Sequence, residues 1–251
     1  MSRFAVAFHY SFLRLVRNVP GMVFLLGMPL FIIPILGSVF AWIPADTEYL
    51  KGAASISTFF AIGMMVFFQL FGGLYGMQST RELFLQPRRW RIRALPCRPL
   101  VLVFAVLAAG SVLSLLQGAL LVVFSVAFLG ARFGNLAVVF LTLLGIAMLS
   151  QLIGATLTLL MRRSVAASIA QWIVAYGSGV LGGIIFPLPA HSAFFRFTST
   201  YGTPFSLAQT ALLDASHGGP AGRIALCIGV IFAACALLAC AAALLGRRRL
   251  A

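Results

Sequence analysis

Long apolar stretches separated by short polar segments dominate the chain. A helix needs about 20 mostly apolar residues to cross the hydrocarbon core of a bilayer. Six stretches have this character, at about residues 21–43, 56–78, 100–130, 136–160, 165–186 and 221–246. The third is long enough to tilt or to begin at the membrane interface. The pattern predicts an all-α polytopic membrane protein with six transmembrane helices, in one domain that covers residues 1–251.

Residues 1–20 precede the first stretch and have a different pattern. Between residues 3 and 16 the large apolar side chains recur at helical spacing, while Arg14 and Arg17 mark a wet side. Pro20 and Gly21 then interrupt the helix before the first span. The segment predicts an amphipathic helix lying in the membrane interface; the alternative is a frayed lead-in to the first span. The apolar positions are Phe4, Phe8, Phe12, Leu15 and Val16.

The outer segment, residues 187–220, separates the fifth and sixth stretches and is rich in Pro, Gly, Ser, Thr and His. Thr203 is a good N-cap with Pro204 at the first helical position. Helix-like apolar spacing continues to Asp214. We predict short outer or re-entrant helices that form an outer gate or exit region at Phe186, Pro187, Pro204 and Phe205. The alternative is a simple surface hairpin.

The composition excludes a soluble enzyme or binding module. Of 251 residues, 62% are apolar and 9% are charged, whereas a soluble domain has about 25% charged residues. The formal net charge is +14, which in a soluble protein would suggest a nucleic acid partner. Here the basic residues lie between apolar runs, so we expect contact with membrane lipid and no nucleic acid.

The distribution of basic residues predicts the orientation. With both termini in the cytoplasm, only four of the 18 lysines and arginines fall in outer segments, and the other 14 are cytoplasmic. Cytoplasmic loops of membrane proteins carry such an excess. We therefore expect both termini on the cytoplasmic side of a bacterial or archaeal cell membrane. The four outer residues are Lys51, Arg132, Arg196 and Arg223.

The residue inventory predicts no catalytic, cofactor or metal site in this chain. Proton relays and ion-coupled carriers need ionisable groups inside the spans, and no acid or histidine falls mid-span. A nucleotide-binding P-loop needs a lysine in a glycine-rich context, but the single lysine, Lys51, lies in an outer loop. Any ATP is therefore hydrolysed by another chain. The acids are Asp46, Glu48, Glu82 and Asp214, and the cysteines, which form no C-x-x-C pair, are Cys97, Cys227, Cys235 and Cys240.

Two pairs of glycines have the spacing of close helix packing. Gly179 and Gly183 are four residues apart on one face of the fifth predicted span, and Gly72 and Gly76 repeat this spacing in the second. Small residues at this spacing let membrane helices approach closely. They predict packing between spans or between two copies of the chain.

The cytoplasmic loop 79–99 has five arginines between residues 88 and 98, together with Trp90. One interpretation is an interfacial segment in which the tryptophan lies at headgroup depth and the arginines meet anionic lipid. The other is a short docking helix between Pro87 and Pro96 that is presented to a cytosolic partner. Composition alone does not separate them.

Aromatic residues crowd the second span. They form a wall that suits a hydrophobic or amphiphilic molecule, although phenylalanines that face lipid would give the same sequence. These residues are Phe59, Phe60, Phe67, Phe68 and Phe71.

Several strings together resemble the membrane domain of the ABC type-2 transporter family, over nearly the whole chain. The first is residues 14–20 followed by Met28-Pro29-Leu30, which is similar to that family's amphipathic entry into span one. The second is Arg81-Glu82 followed by residues 94–99, similar to its acidic-then-proline coupling segment. The third is residues 182–187 with the later 203–208, similar to its signature beyond span five.

The resemblance implies a permease that is not itself an enzyme. Two such chains, identical or related, would pair around a path and dock on two cytosolic ATPase subunits, which hold ATP and Mg. A coupling helix within residues 82–96 would transmit the motion of the ATPases. Its predicted residues are Glu82, Arg88, Arg89, Trp90, Arg91 and Arg93.

The sequence also departs from that family in ways that bear on the substrate. Only Glu82 stands where members often have Glu-x-Glu followed by Gly-Thr, and the aromatic-rich entry motif of polysaccharide exporters is not evident. We expect export of a hydrophobic or amphiphilic substrate, such as a drug, a lipid-like molecule or a peptide. A non-transporting membrane anchor or sensor subunit and an ATP-independent channel or carrier remain as alternatives.

Overall fold

The structure is a computed structural model that describes residues 3–39, 56–84, 99–161, 163–183 and 192–250. Every regular element in these ranges is helical, and a π-helical turn at Val23–Gly27 joins the second and third helices. The helices are α1 (Arg3–Val16), α2 (Val19–Met22), α3 (Met28–Val39), α4 (Ile56–Phe84), α5 (Pro99–Leu129), α6 (Leu136–Leu160), α7 (Ser164–Leu181), α8 (Ala193–Tyr201), α9 (Pro204–His217) and α10 (Ala221–Leu250).

Four of these helices are long and apolar enough to cross a membrane. The segments are Ser57–Glu82, Val101–Leu129, Leu136–Leu160 and Ala221–Gly246. The apolar helices at the predicted first and fifth spans are shorter, at Val23–Leu36 and Val165–Leu181. The all-α multi-pass membrane protein is therefore confirmed, whereas the count of six full spans stays a prediction.

Prolines explain the broken helix at the predicted first span. Proline has no N–H to donate to the carbonyl four residues before it, so Pro29 leaves the carbonyl of Leu25 without its usual helical partner. The π-helical turn contains Leu25, and Gln117 Nε2 of α5 donates to the Leu25 carbonyl at 2.8 Å. In a membrane, a side chain from a neighbouring helix is one of the groups that can satisfy such a freed backbone carbonyl.

The helix predicted at residues 3–16 is present as α1, packed on α5. The rings of Phe4, Phe8 and Phe12 stack along one face, with centroids 6.4 and 6.1 Å apart. Leu15 is buried in a small cluster with Leu25. The amphipathic pattern thus places the aromatic side toward the bundle; its position at the membrane interface stays a prediction.

Helix α4 lies at the centre of the bundle. It contacts α3, α5, α6, α7 and α9, and in its most apolar stretch 89% of the residues are buried. The five phenylalanines of the aromatic wall are among them, and each is at most 7% exposed. Within the described part of the chain, the lipid-facing interpretation of these phenylalanines is therefore wrong, because other helices surround α4 on all sides that carry them.

Helix α9 forms because of local signals at both ends. The side chains of Thr203 and Ser206 form a reciprocal capping box, with Pro204 in the first turn, and Gly218 ends the helix at φ 75°. Only a residue without Cβ adopts that left-handed conformation freely. All residues from Phe205 to Ala215 are buried. The predicted helix is confirmed and extends three residues beyond Asp214, and its burial argues against a surface hairpin in this part of the outer segment.

Candidate functional site

An ion pair joins α1 to the end of α4 where the arginine-rich loop begins. Arg14 Nη2 contacts Glu82 Oε2, and the Glu82 side chain is 24% exposed. Gln78, one helical turn earlier, places its Nε2 3.5 Å from Glu82 Oε1. The predicted coupling residue Glu82 is therefore held between the amphipathic helix and the central helix.

The other predicted coupling residues lie outside the described residues. They are Arg88, Arg89, Trp90, Arg91 and Arg93. Their role, and the choice between the lipid-facing and the docking interpretation of this loop, stay predictions.

Two clefts lie beside the same end of α4. One, of about 240 Å³, is between α4, α6 and α7 and includes Arg81 and Thr158. The other, of about 180 Å³, is between α1, α4 and α5 and includes Arg14 and Ser79. The two clefts therefore lie on either flank of the end of α4 that carries Glu82.

The glycine pair of the second span lies against neighbouring helices of the same chain. A Cβ added at Gly76 would lie 2.7 Å from the carbonyl oxygen of Gln151 in α6, and one at Gly72 would lie 2.6 Å from Ser114 Oγ in α5. From the other side, a Cβ at Gly154 in α6 would collide with the carbonyl oxygen of Gly73. Gly76 and Gly154 therefore let α4 and α6 approach to near backbone contact, and Gly72 leaves room for the Ser114 side chain of α5.

Buried polar side chains hold α4 through its own main chain. Ser150 Oγ and Gln171 Nε2 both donate to the carbonyl of Leu70, at 2.8 and 3.3 Å. Gln151 Nε2 donates to the carbonyl of Gly72 at 2.7 Å. In the reverse direction, Gln69 Nε2 donates to the carbonyl of Ser114 at 2.6 Å. Helices α5, α6 and α7 are each tied to the middle of α4.

The second glycine pair is arranged differently from the prediction. Gly179 is buried within α7, but α7 ends at Leu181, and Gly183 lies in the following turn with φ 63°. The expectation that both glycines share one helix face is wrong, because the left-handed conformation of Gly183 terminates the helix. Gly183 therefore serves as a turn residue.

The described part of the predicted outer gate is enclosed. Pro204 occupies the first turn of α9, and Phe205 is 1% exposed within the main apolar core. Phe205 therefore packs against the core and lines no opening in this conformation. Phe186 and Pro187 lie outside the described residues.

An ion pair that the sequence interpretation missed ties α9 to α10. Arg223 donates to both carboxylate oxygens of Asp214, with Nε 2.5 Å from Oδ2. The Asp214 side chain is 3% exposed, and His217 Nε2 lies 3.7 Å from its Oδ1. The available signal was an acid in an apolar helix, followed nine residues later by an arginine across a Gly-Gly-Pro turn.

An aromatic surface on α7 continues the buried wall of α4. Trp172 and Tyr176 stack with centroids 5.5 Å apart, and Phe71 meets Trp172 edge-on at 5.1 Å. Trp172 and Tyr176 are 38% and 47% exposed. Tryptophan and tyrosine usually lie at the two membrane interfaces, yet Trp172 is in the middle of α7. The exposed end of the aromatic wall therefore lies in the middle of α7, away from both ends of that helix.

The comparison with protein-family models matches residues 42–244 to a family described as an ABC-2 family transporter protein. A search of curated proteins finds no match.

Proposed function

The chain belongs to the ABC-2 family of transporter proteins, and we propose that it exports a hydrophobic or amphiphilic substrate from a bacterial or archaeal cell. Members of this family are membrane permease components, and the ATPase is a separate subunit. In the proposed assembly two permease chains, identical or related, stand on two ATPase subunits that bind ATP and Mg. Both termini of the chain face the cytoplasm, where the ATPases dock.

The observation that carries the proposal is the Arg14–Glu82 ion pair. Because the Arg14 side chain is 59% exposed, such a pair contributes at most about 1 kcal/mol to stability. Its position matters more, since it connects α1 to the last turns of α4, next to the loop that would contact the ATPase. A displacement of the loop would then move α1 and α4 as one unit.

The central position of α4 supports a route from that loop into the bundle. The bonds from Ser150, Gln151 and Gln171 end on backbone carbonyls in the middle of α4. A shift of α4 along its axis would therefore pull on α6 and α7 directly. Helix α7 carries the exposed aromatic pair, so motion at Glu82 would reach Trp172 and Tyr176.

The aromatic pair supports a hydrophobic substrate path or a contact with the second permease chain. Within the described residues, neither the Trp172 indole N–H nor the Tyr176 hydroxyl has a hydrogen-bond partner. Polar groups directed at lipid tails without a partner are costly. A path that admits water or an amphiphile would supply the hydrogen-bond partners that lipid tails lack. A facing protein chain would do the same.

Charge reversal at the ion pair tests the coupling. The variants are Arg14→Glu, Glu82→Arg and the double variant, assayed for ATP-driven loss of a lipophilic dye in proteoliposomes that contain the ATPase. We expect each single reversal to lower transport about ten-fold and the double variant to recover most of it, since contacting charges couple in double-mutant cycles. Arg132→Glu, an exposed change at the opposite end of the bundle from Glu82, is the control and should transport normally.

The partnership itself is tested by purifying the tagged chain from its host in mild detergent and identifying what co-elutes by mass spectrometry. A near-stoichiometric ATPase supports the proposal, and a second related permease indicates a heterodimer. A chain that stays alone after crosslinking in intact membranes contradicts it. Normal transport by both single charge-reversal variants would instead reject only the coupling role of the pair.

A further inference from the structure

A lateral groove lies away from α4 and the aromatic surface. It is a cavity of about 530 Å³ between α5, α6 and α10, closed on one side by Phe4 of α1. Its walls include Phe104, Ala108, Met148, Phe232 and Ala239.

The lining of the groove is almost entirely hydrocarbon. Ser111 and Cys235 are the polar members of its lining. The Ser111 hydroxyl already donates to the carbonyl of Leu107 at 2.9 Å, and the Cys235 thiol lies 3.4 Å from the carbonyl of Gly145. Apolar cavities stay dry, and a polar ligand would lose its hydrogen bonds to water without replacement. The lining therefore suits an aliphatic chain.

The groove is directed toward the end of the bundle where α5 begins and α6 and α10 finish. Its lining comes from the first half of α5 and from the middle of α6 and α10. A constriction of only about 10 Å³, lined by Val103, Leu159 and Gly246, adjoins it toward that end. The apolar lining thus continues from the middle of the bundle toward the end that carries the chain termini.

The charge at that surface is strongly basic. Helix α1 contains Arg3 and Arg14 and no acid, and Arg17 follows it. In the sequence, Arg247, Arg248 and Arg249 come directly after Gly246. Such a cluster beside a membrane span attracts anionic lipid headgroups.

We propose that the groove is a binding site for an anionic diacyl phospholipid from the leaflet on the side of the chain termini. One acyl chain fills the groove between α5, α6 and α10. The headgroup meets the arginines in and directly after α1 and those in the last turn of α10. The lipid then fixes α1, which carries Arg14, against the bundle. This site does not depend on the transported substrate.

Native mass spectrometry of the detergent-purified chain tests the site. Phosphatidylglycerol and phosphatidylcholine with identical acyl chains are added in equal amounts, so that hydrocarbon partitioning is matched and only the headgroup differs. We expect phosphatidylglycerol to be retained about ten-fold more, with one lipid per chain, as expected for headgroup attraction to basic residues. Equal retention of the two lipids would overturn the proposal.

Substitutions that fill the groove locate the lipid. Ala239→Phe and Ala108→Phe place a ring in the cavity, and both should abolish selective retention. Leu237→Phe is the matched control, because Leu237 is on the same helix but 72% exposed. Two groove variants are used so that a folding failure of one leaves the other decisive; monodisperse elution verifies folding. Retention by a folded groove variant at the wild-type level would place the lipid elsewhere.

Neutralisation of the arginines tests the headgroup contact separately from the binding of the acyl chain. Arg247→Gln, Arg248→Gln and Arg249→Gln together should remove the preference for phosphatidylglycerol while total lipid retention persists. Arg132→Gln, at the opposite end of the bundle, should leave the preference unchanged. A preference that survives the triple change would reject the proposed headgroup contact.

Discussion

In helices α4 and α10 the relation between hydropathy and burial is the reverse of that in a soluble protein. The apolar stretch of α10 is more hydrophobic than that of α4, yet only 22% of it is buried, against 89% of α4. In water the more apolar helix would occupy the core. Here the bilayer already solvates apolar side chains, so high apolarity marks exposure to lipid, while glycine and glutamine mark the interior.

The physical reason is the absence of a hydrophobic driving force between helices in lipid. Association then depends on close packing and on interhelical hydrogen bonds. Helix α4 has both, since Gly76 admits the backbone of α6, Gly72 admits the Ser114 side chain of α5, and its carbonyls accept side-chain donors. Helix α10 has Gly229, where an added Cβ would contact nothing within 4 Å. The same residue type thus has a structural role in one place and none in the other.

The largest expected effect comes from one methyl group placed against α4. Gly154→Ala directs a Cβ into the carbonyl oxygen of Gly73 and to 3.1 Å from the amide nitrogen of Met77. Because both obstacles are backbone atoms, the helices must separate, and we expect a loss of about 3 kcal/mol. Unfolding by SDS titration in mixed micelles measures it.

Gly229→Ala is the matched control on α10. The same change in open surroundings should alter the free energy of unfolding by less than about 0.5 kcal/mol. Equal effects of the two substitutions would mean that α4 and α6 are not in near backbone contact.

An intermediate effect is expected where α10 is tied to the core. Arg223→Gln leaves the buried Asp214 carboxylate without its main partner, and we expect a loss of about 2 kcal/mol, less than for a fully buried pair because Arg223 is 40% exposed. The double variant with Asp214→Asn should regain at least half of it.

Leu226→Ala, close to Arg223 on an exposed face of α10, is the control for this series and should change little. A double variant as unstable as the single one would show that Asp214 is stabilised by other groups.

The sequence predicts those features whose physical cause is local. The N-cap residue Thr203 and the first-turn residue Pro204 predict α9, and the phenylalanine spacing predicts α1. The Asp214–Arg223 pair and the bond from Gln117 to the Leu25 carbonyl depend on how helices pack, and neither is visible in hydropathy. The five phenylalanines of α4 illustrate the limit: their burial follows from the glycines and glutamines of neighbouring helices, which hold α4 in the centre.

The smallest expected effect is also the sharpest test of the contrast between the two helices. Ser150→Ala removes one hydroxyl that donates to the Leu70 carbonyl at 2.8 Å. Leu237→Ala removes three carbons from a side chain that is 72% exposed on α10. We expect the serine change to cost about 0.6 kcal/mol, the average for such a bond between membrane helices. The leucine change should cost less, because that side chain contacts lipid in both the folded and the unfolded state. In a soluble protein, deleting a packed leucine outweighs deleting one hydroxyl. SDS titration of both variants in the same micelles therefore decides whether α10 faces lipid: a larger loss for Leu237→Ala would mean that this face of α10 is covered by protein.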